Sequence, residues 1–267
     1  MQTQSVTEAI EADTMYEYGR CAPTDVLGVG LARIGGGVAV SMRNDPTRYW
    51  SKALGFTAPV TADLIDEVLD FYRKEGNPHA VLQIAPDRLP ADWDEICAAR
   101  GIRAGSEWVK LAAAVRDLPV AADGPLRVAR VTEQDAEQWA RVVTTAFGMT
   151  QAGLPEMLAA TVGNPRFHPY AVWAGDSIVA GANLFIAGAV ASLNAAATAP
   201  EFRGRGAQTA LIHARIEAAR AAGCRLVVSE TGKPAPGEGN RSLNNMRRAG
   251  LQPCYPRRNW IWSGQER

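Results

Sequence analysis

Arg203-Gly204-Arg205-Gly206 stands directly before a run of about sixteen residues that holds no proline and no interior glycine, and Gly223 closes that run. Glycine is costly inside a helix and cheap in a turn. The spacing therefore predicts a tight turn and then a helix that starts at Ala207, Gln208 and Thr209. The first amides of a helix have no partner within it, and they lie at the positive end of its dipole. Two arginines add charge at the same place. The chemistry open to such a group is anion binding, most naturally of a phosphate. Two other glycine loops are excluded. A dinucleotide turn needs G-x-G-x-x-G, and Thr209 stands where the third glycine belongs. A nucleotide P-loop needs Gly-Lys-Ser/Thr, which is absent.

The elements that must hold this turn follow from periodicity and punctuation. Residues 5–19 read as an opening amphipathic helix. VLGVGLARIGGGVAVSM reads as two strands around Gly35–Gly37. TADLIDEVLDFYRKEG is a helix capped by Thr61 and stopped at Gly76. HAVLQIA is a buried strand, PADWDEICAARG a short helix, and IRAGSEWVKLAAAV a strand or hairpin. Two prolines and a glycine then mark a linker. The second half opens with the strand LRVARV, a helix capped by Thr132, and a further short helix LPEMLAATVG. Glycines at 175 and 188 divide the next segment into three antiparallel strands. After the glycine turn and its helix come the strand RLVVSE, a loop, the short helix NRSLNNMRRAG, and a last strand around RRNWIWS. The order helix, glycine, buried strand, short helix occurs in both halves, as an internal duplication would produce.

At 267 residues the chain fits two modest domains or one large one. Its net charge is zero, which argues against wholesale nucleic-acid or membrane binding. Yet from Glu201 onward there are twelve Arg or Lys against five Glu and no Asp, so positive charge gathers beside the glycine turn. Cys21, Cys97, Cys224 and Cys254 lack C-x-x-C spacing, and the three histidines are isolated, so no metal site is expected. Reduced thiols point to the cytoplasm. The N-terminal stretch has early acids and no apolar core, unlike a signal peptide, and no run approaches membrane-spanning length.

On the Arg203–Gln208 motif and the strand order around it, residues 126–262 resemble the GNAT superfamily of acyl-CoA-dependent N-acyltransferases. That family's signature is Arg or Gln, two residues, Gly, one residue, then Gly or Ala; here Gln208 takes the last position. The first half resembles a degenerate copy of the same fold. The resemblance implies an α/β (α+β) architecture of two domains, each a mixed, mostly antiparallel sheet flanked by helices. Residues 1–119 would lack the CoA motif, 120–125 would be the linker, and 126–267 the acyl-CoA-binding domain. It implies acetyl-CoA as donor and a small amine as acceptor, in a monomer or homodimer without nucleic acid, membrane or metal. The turn Arg203–Gly206 with Ala207, Gln208 and Thr209 would hold the CoA pyrophosphate. Ala196, Ala197 and Thr198 would line the pantetheine arm. Asn240 and Ser242 cap the short helix and border the same arm.

The resemblance leaves the proton chemistry open. The family's tyrosine acid would fall at Met246, which cannot donate. Tyr255, a few residues on, is the alternative donor, or a packed tyrosine with a solvated hydroxyl. The strand before the motif has no carboxylate, and Asn194 could orient a water there or cap a bulge. Glu230 is the leading proton acceptor; its rival reading is a salt bridge to an arginine of the short helix. His213 is read as packing, and His168 as a residue bordering the acceptor pocket at most. Domain one starts its comparable helix with Asp63, Asp66 and Glu67, which repel phosphate. An N-acetyltransferase that works by direct attack is the leading function. A CoA-binding sensor that has lost catalysis, or an aminoacyl-transferring relative of the fold, are the alternatives.

Overall fold

The computed structural model describes residues 2–120 and 124–264. Of the expected linker at 120–125, residues 121–123 lie outside them. The chain forms two compact units. The first runs to Val109 and takes back the residues from Pro256 on; the second is Lys110–Tyr255. This division differs from one drawn at the linker because the last strand packs its tryptophans into the first unit's core, as described next.

The first unit contains helices α1 (Gln2–Cys21) and α2 (Thr24–Leu27), strands β1 (Val29–Ile34), β2 (Gly37–Met42) and β3 (Lys52–Leu54), helix α3 (Ala62–Lys74), strand β4 (His79–Gln83) and helix α4 (Trp93–Arg100). β5 (Ile102–Ala114) begins in it and is one strand of thirteen residues, not a hairpin. β1, β2 and β3 are antiparallel, β3 and β4 are parallel, and β4 is followed by the last strand of the chain, β11. α3 presents Leu64, Ile65, Val68, Leu69 and Tyr72 to one sheet face, where they meet Ala39, Ala53, Leu82 and Trp262. That i, i+4 stripe is what the periodicity demands. On the opposite face Arg257 is fully buried, and α1 supplies Glu8 and Glu11 at 2.6 and 2.8 Å as its counter-charges.

The second unit contains β6 (Arg127–Arg130), α5 (Ala136–Ala146), α6 (Leu154–Ala160), β7 (Tyr170–Ala174), β8 (Ser177–Ala187), β9 (Val190–Thr198), α7 (Ala207–Ala221), β10 (Leu226–Gly232) and α8 (Arg241–Arg248). β11 (Gln252–Ser263) starts here. The strand order is β5-β10-β9-β8-β7-β6, antiparallel from β6 to β9 and parallel between β9 and β10. Thr132 and Asp135 form a capping box ahead of α5. Trp139 of α5 is fully buried and donates its indole N–H to the Tyr170 carbonyl at 3.1 Å. The ring lies so close to β8 that a Cβ at Gly181 would come within 2.5 Å of it. Only glycine admits that approach.

Both units carry the same connection: a strand, a helix, and a parallel strand beside the first, β3-α3-β4 in one and β9-α7-β10 in the other.

Candidate functional site

The parallel ladder between β9 and β10 pairs Val190–Leu193 with Leu226–Ser229 and ends there. The Ser229 hydroxyl donates to the Leu193 carbonyl at 2.8 Å at this last rung. Beyond it β9 continues to pair with β8 but not with β10, so the sheet opens along Asn194–Thr198. The opening coincides with a bulge. Asn183 faces Asn194 and Gly181 faces Ala197, which leaves two residues of β9 opposite one of β8. Ala195, inside the bulge, has φ of 49°, a conformation costly for a residue with a Cβ.

A fully buried arginine holds this geometry. Arg215 of α7 donates from Nη1 to the carbonyls of Asn183 and Asn194, at 2.9 and 3.3 Å, and from Nε to Leu211 at 2.9 Å. These are the carbonyls of the strand pair that opens the bulge. The sequence reading missed Arg215. The signal was present: it falls on the Leu211–Arg215–Ala219 stripe of α7, where an apolar side chain is due.

Past β9, Pro200–Phe202 makes one 3₁₀ turn, and the glycine turn follows as expected. Gly204 and Gly206 have φ of 78° and 84°, and Gly206 is the N-cap of α7. Arg203, Gly204, Arg205 and Gly206 are all exposed, and nothing lies within 4 Å of where a Cβ of either glycine would stand. Arg203 donates to the Thr198 carbonyl at 3.2 Å, and the Arg205 guanidinium lies 5.2 Å from the Phe202 ring centre. Ala207 anchors the helix start in the core, Gln208 is half-buried and Thr209 exposed. No acidic residue stands in the first turn of α7. The result is a helix start with open space before it, free amides, a favourable dipole and two cations. Ala196 and Thr198 are half-buried and Ala197 is buried along the opened strand that leads to it.

The corresponding helix start in the first unit differs in each respect. The Thr61 hydroxyl accepts from the Leu64 amide at 3.2 Å, so one helix-start amide is already occupied. Asp63 stands in the first turn. Asp66 is bound to Arg100 at 2.6 Å, and that hydrogen bond holds its carboxyl below the usual carboxylate range.

The structure places the proposed proton carriers as follows. Glu230 on β10 is paired with Lys110 of β5 at 2.9 Å, and the Lys110 side chain is only 4% exposed. This partner is a lysine 120 residues away in sequence. Asn194 is half-buried at the bulge, and its amide donates to the Ser192 carbonyl at 3.2 Å. Tyr255 is half-buried and belongs to β11 instead of a loop. Met246 is buried on α8. Asn240 caps α8 by accepting from the Leu243 amide, and its own amide donates to Gly232 and Thr231, which ties α8 to β10. Ser242 is half-buried in the first turn of α8. His168 has its backbone paired with Leu184, and burial, helped by Arg130, pushes its imidazole pKa down. His213 faces the packing of α7, with a buried Nδ1 that finds no partner among the described residues. No cluster of three or more metal-ligating side chains occurs among the described residues, and no helix is long and apolar enough to cross a membrane.

The second unit is thus a mixed sheet opened beside a bulge, with a glycine turn and a helix start at its mouth. The acetyltransferase (GNAT) domain family matches residues 98–232, half of the chain. The chain belongs to the GNAT family. Solved structures agree over nearly its whole length. It is similar to a GCN5-related N-acetyltransferase from Kribbella flavida, with 16% identity, a TM-score of 0.63, and 93% of this chain and 96% of that one covered. It is also similar to a GNAT-family protein from Novosphingobium aromaticivorans, with 16% identity, a TM-score of 0.58, and 98% and 99% covered. A functionally unknown conserved protein from Staphylococcus epidermidis matches at 11% identity and a TM-score of 0.60, with 85% and 91% covered. No curated protein matches the chain in sequence.

Proposed function

We propose that the second unit is an N-acetyltransferase that moves an acetyl group from acetyl-CoA to a small primary amine. The observation that carries this reading is the opened strand, Asn194–Thr198, leading to the turn at Gly206. Pyrophosphate would meet the first amides of α7 with Arg203 and Arg205, and the pantetheine arm would run along Ala196–Thr198. The amine nitrogen attacks the thioester carbonyl, the tetrahedral adduct collapses, and the thiolate of CoA departs. Glu230 is the proposed acceptor of the amine proton, directly or through a water held near Asn194. Tyr255 is the proposed donor to the thiolate. The shared strand-helix-strand connection supports reading the first unit as a degenerate copy of the second. Four cysteines outside any disulfide support a cytoplasmic location.

The test joins binding and turnover. Gly206→Asp puts a negative charge where the pyrophosphate would lie. It should weaken acetyl-CoA binding more than about tenfold, or 1.4 kcal/mol, by calorimetry. Unchanged affinity in a folded variant removes the site. Glu230→Gln should lower the turnover rate by roughly 10²–10⁴ with affinity retained. A near-normal rate removes that assignment.

One observation favours a second reading. Met246 cannot donate a proton, and Glu230 is already engaged with Lys110. A CoA-binding protein without turnover would have these features. Release of CoA thiol over a broad amine panel separates the two.

A further inference from the structure

A separate cavity of about 300 Å³ lies in the first unit, between the end of β2, the loop 43–51 and the start of β4. Arg43, Asp45, Arg48, Asn77 and His79 are among the residues that line it. Its volume is at the lower end of the range for small-ligand pockets.

The loop is built rigidly. The Asp45 carboxylate is buried and accepts four hydrogen bonds: the Thr47 amide and hydroxyl at 2.9 and 2.7 Å, and the Tyr49 and Trp50 amides, both at 3.1 Å. Its oxygens are engaged inside the loop. Arg48 is held at φ of 57°, a strained conformation for a side chain of its size. Among the described residues no carboxylate forms an ion pair with Arg43 or Arg48. Arg43 makes one long contact, to the Glu75 carbonyl at 3.5 Å.

His79 completes the lining. Its Nδ1 is buried and has no partner among the described residues. Burial, then the charge of Arg48, push the imidazole pKa down, against a smaller opposing pull from Asp45. Two guanidiniums without a carboxylate partner ask for anionic oxygens, and an anion held between them and His79 would favour the imidazolium. A phosphate group supplies both the oxygens and the charge.

We propose that this cavity is a binding site for a phosphate group, as inorganic phosphate or as the phosphate of a small monoester. It is independent of the acetyl-CoA site and of the function proposed above.

The probe is the imidazole proton spectrum of the intact chain, which has three histidines. His79→Gln assigns the His79 signals. Millimolar inorganic phosphate should shift them and raise the His79 titration midpoint, because the bound negative charge favours the imidazolium. Arg48→Ala should weaken the effect about tenfold or more, and Arg43→Ala should act in the same direction. Glycerol phosphate forms the second arm: a tighter shift than with inorganic phosphate assigns the site to a monoester, a weaker one to the free ion. An unmoved His79 midpoint with both probes overturns the proposal. So does an equal response in the folded Arg43→Ala/Arg48→Ala protein.

Discussion

Gly206 and Arg215 do opposite jobs at the same site. Gly206 matters because nothing fills its φ of 84° and the space before it. Arg215 matters because it fills buried space with donors aimed at the bulge. Replacing Arg215 by Met should leave the Asn183 and Asn194 carbonyls without those donors, at about 1–3 kcal/mol for a buried unsatisfied group. Part of the loss should appear as weaker acetyl-CoA binding, since the bulge sets the line of the opened strand. Arg215→Lys keeps the charge but loses the fork, and should recover some stability while leaving affinity reduced. Denaturant midpoints together with calorimetry check this. A fully stable Arg215→Met protein with normal affinity would show that the bulge is held by packing alone.

At the scale of elements, two helices start at matching points of the two units and only one can receive an anion. α7 begins with open amides and arginines. α3 begins with the Thr61 hydroxyl on its own amide and carboxylates around it. Titration of the intact chain should therefore give one acetyl-CoA per chain, and a stoichiometry of two would contradict this. Thr61→Ala should cost about 1 kcal/mol of stability through the lost cap, without creating a second site. The acids that remain still repel phosphate.

At the scale of the molecule, His79 and His168 contribute to the acid side of stability. His79 and His168 both have folded-state pKa values pushed below the ordinary one, chiefly by burial. A lowered pKa means that the unfolded chain binds the proton first. Their contribution is present above the ordinary histidine pKa of about 6.5 and is lost as pH falls through the folded values. Asp66, lowered by Arg100, adds the same sense of change at lower pH, below the ordinary carboxylate range. Urea midpoints in a phosphate-free buffer should decline as pH drops from about 6.5. His79→Gln/His168→Gln should flatten that decline, and an unchanged slope would place the cause elsewhere.

The sequence by itself determined what depends on neighbours along the chain. Thr61 and Asn240 as caps, the three strands between Tyr170 and Thr198, and the turn at Gly204–Gly206 were all legible, because capping, periodicity and glycine's backbone freedom act over a few residues. The family was legible through that same turn. Only the tertiary structure decided what depends on distant pairing. Lys110 reaches Glu230 because β5 and β10 are neighbours in the sheet. The last strand carries Trp260 and Trp262 into the first unit's core because its register with β4 puts them beside α3. The role of Arg215 shows only once the bulge carbonyls it binds, from two strands, are in view. Local rules fix where chain segments turn and coil; which side chains then meet is fixed by sheet order and register, and these are settled by burial over the whole molecule.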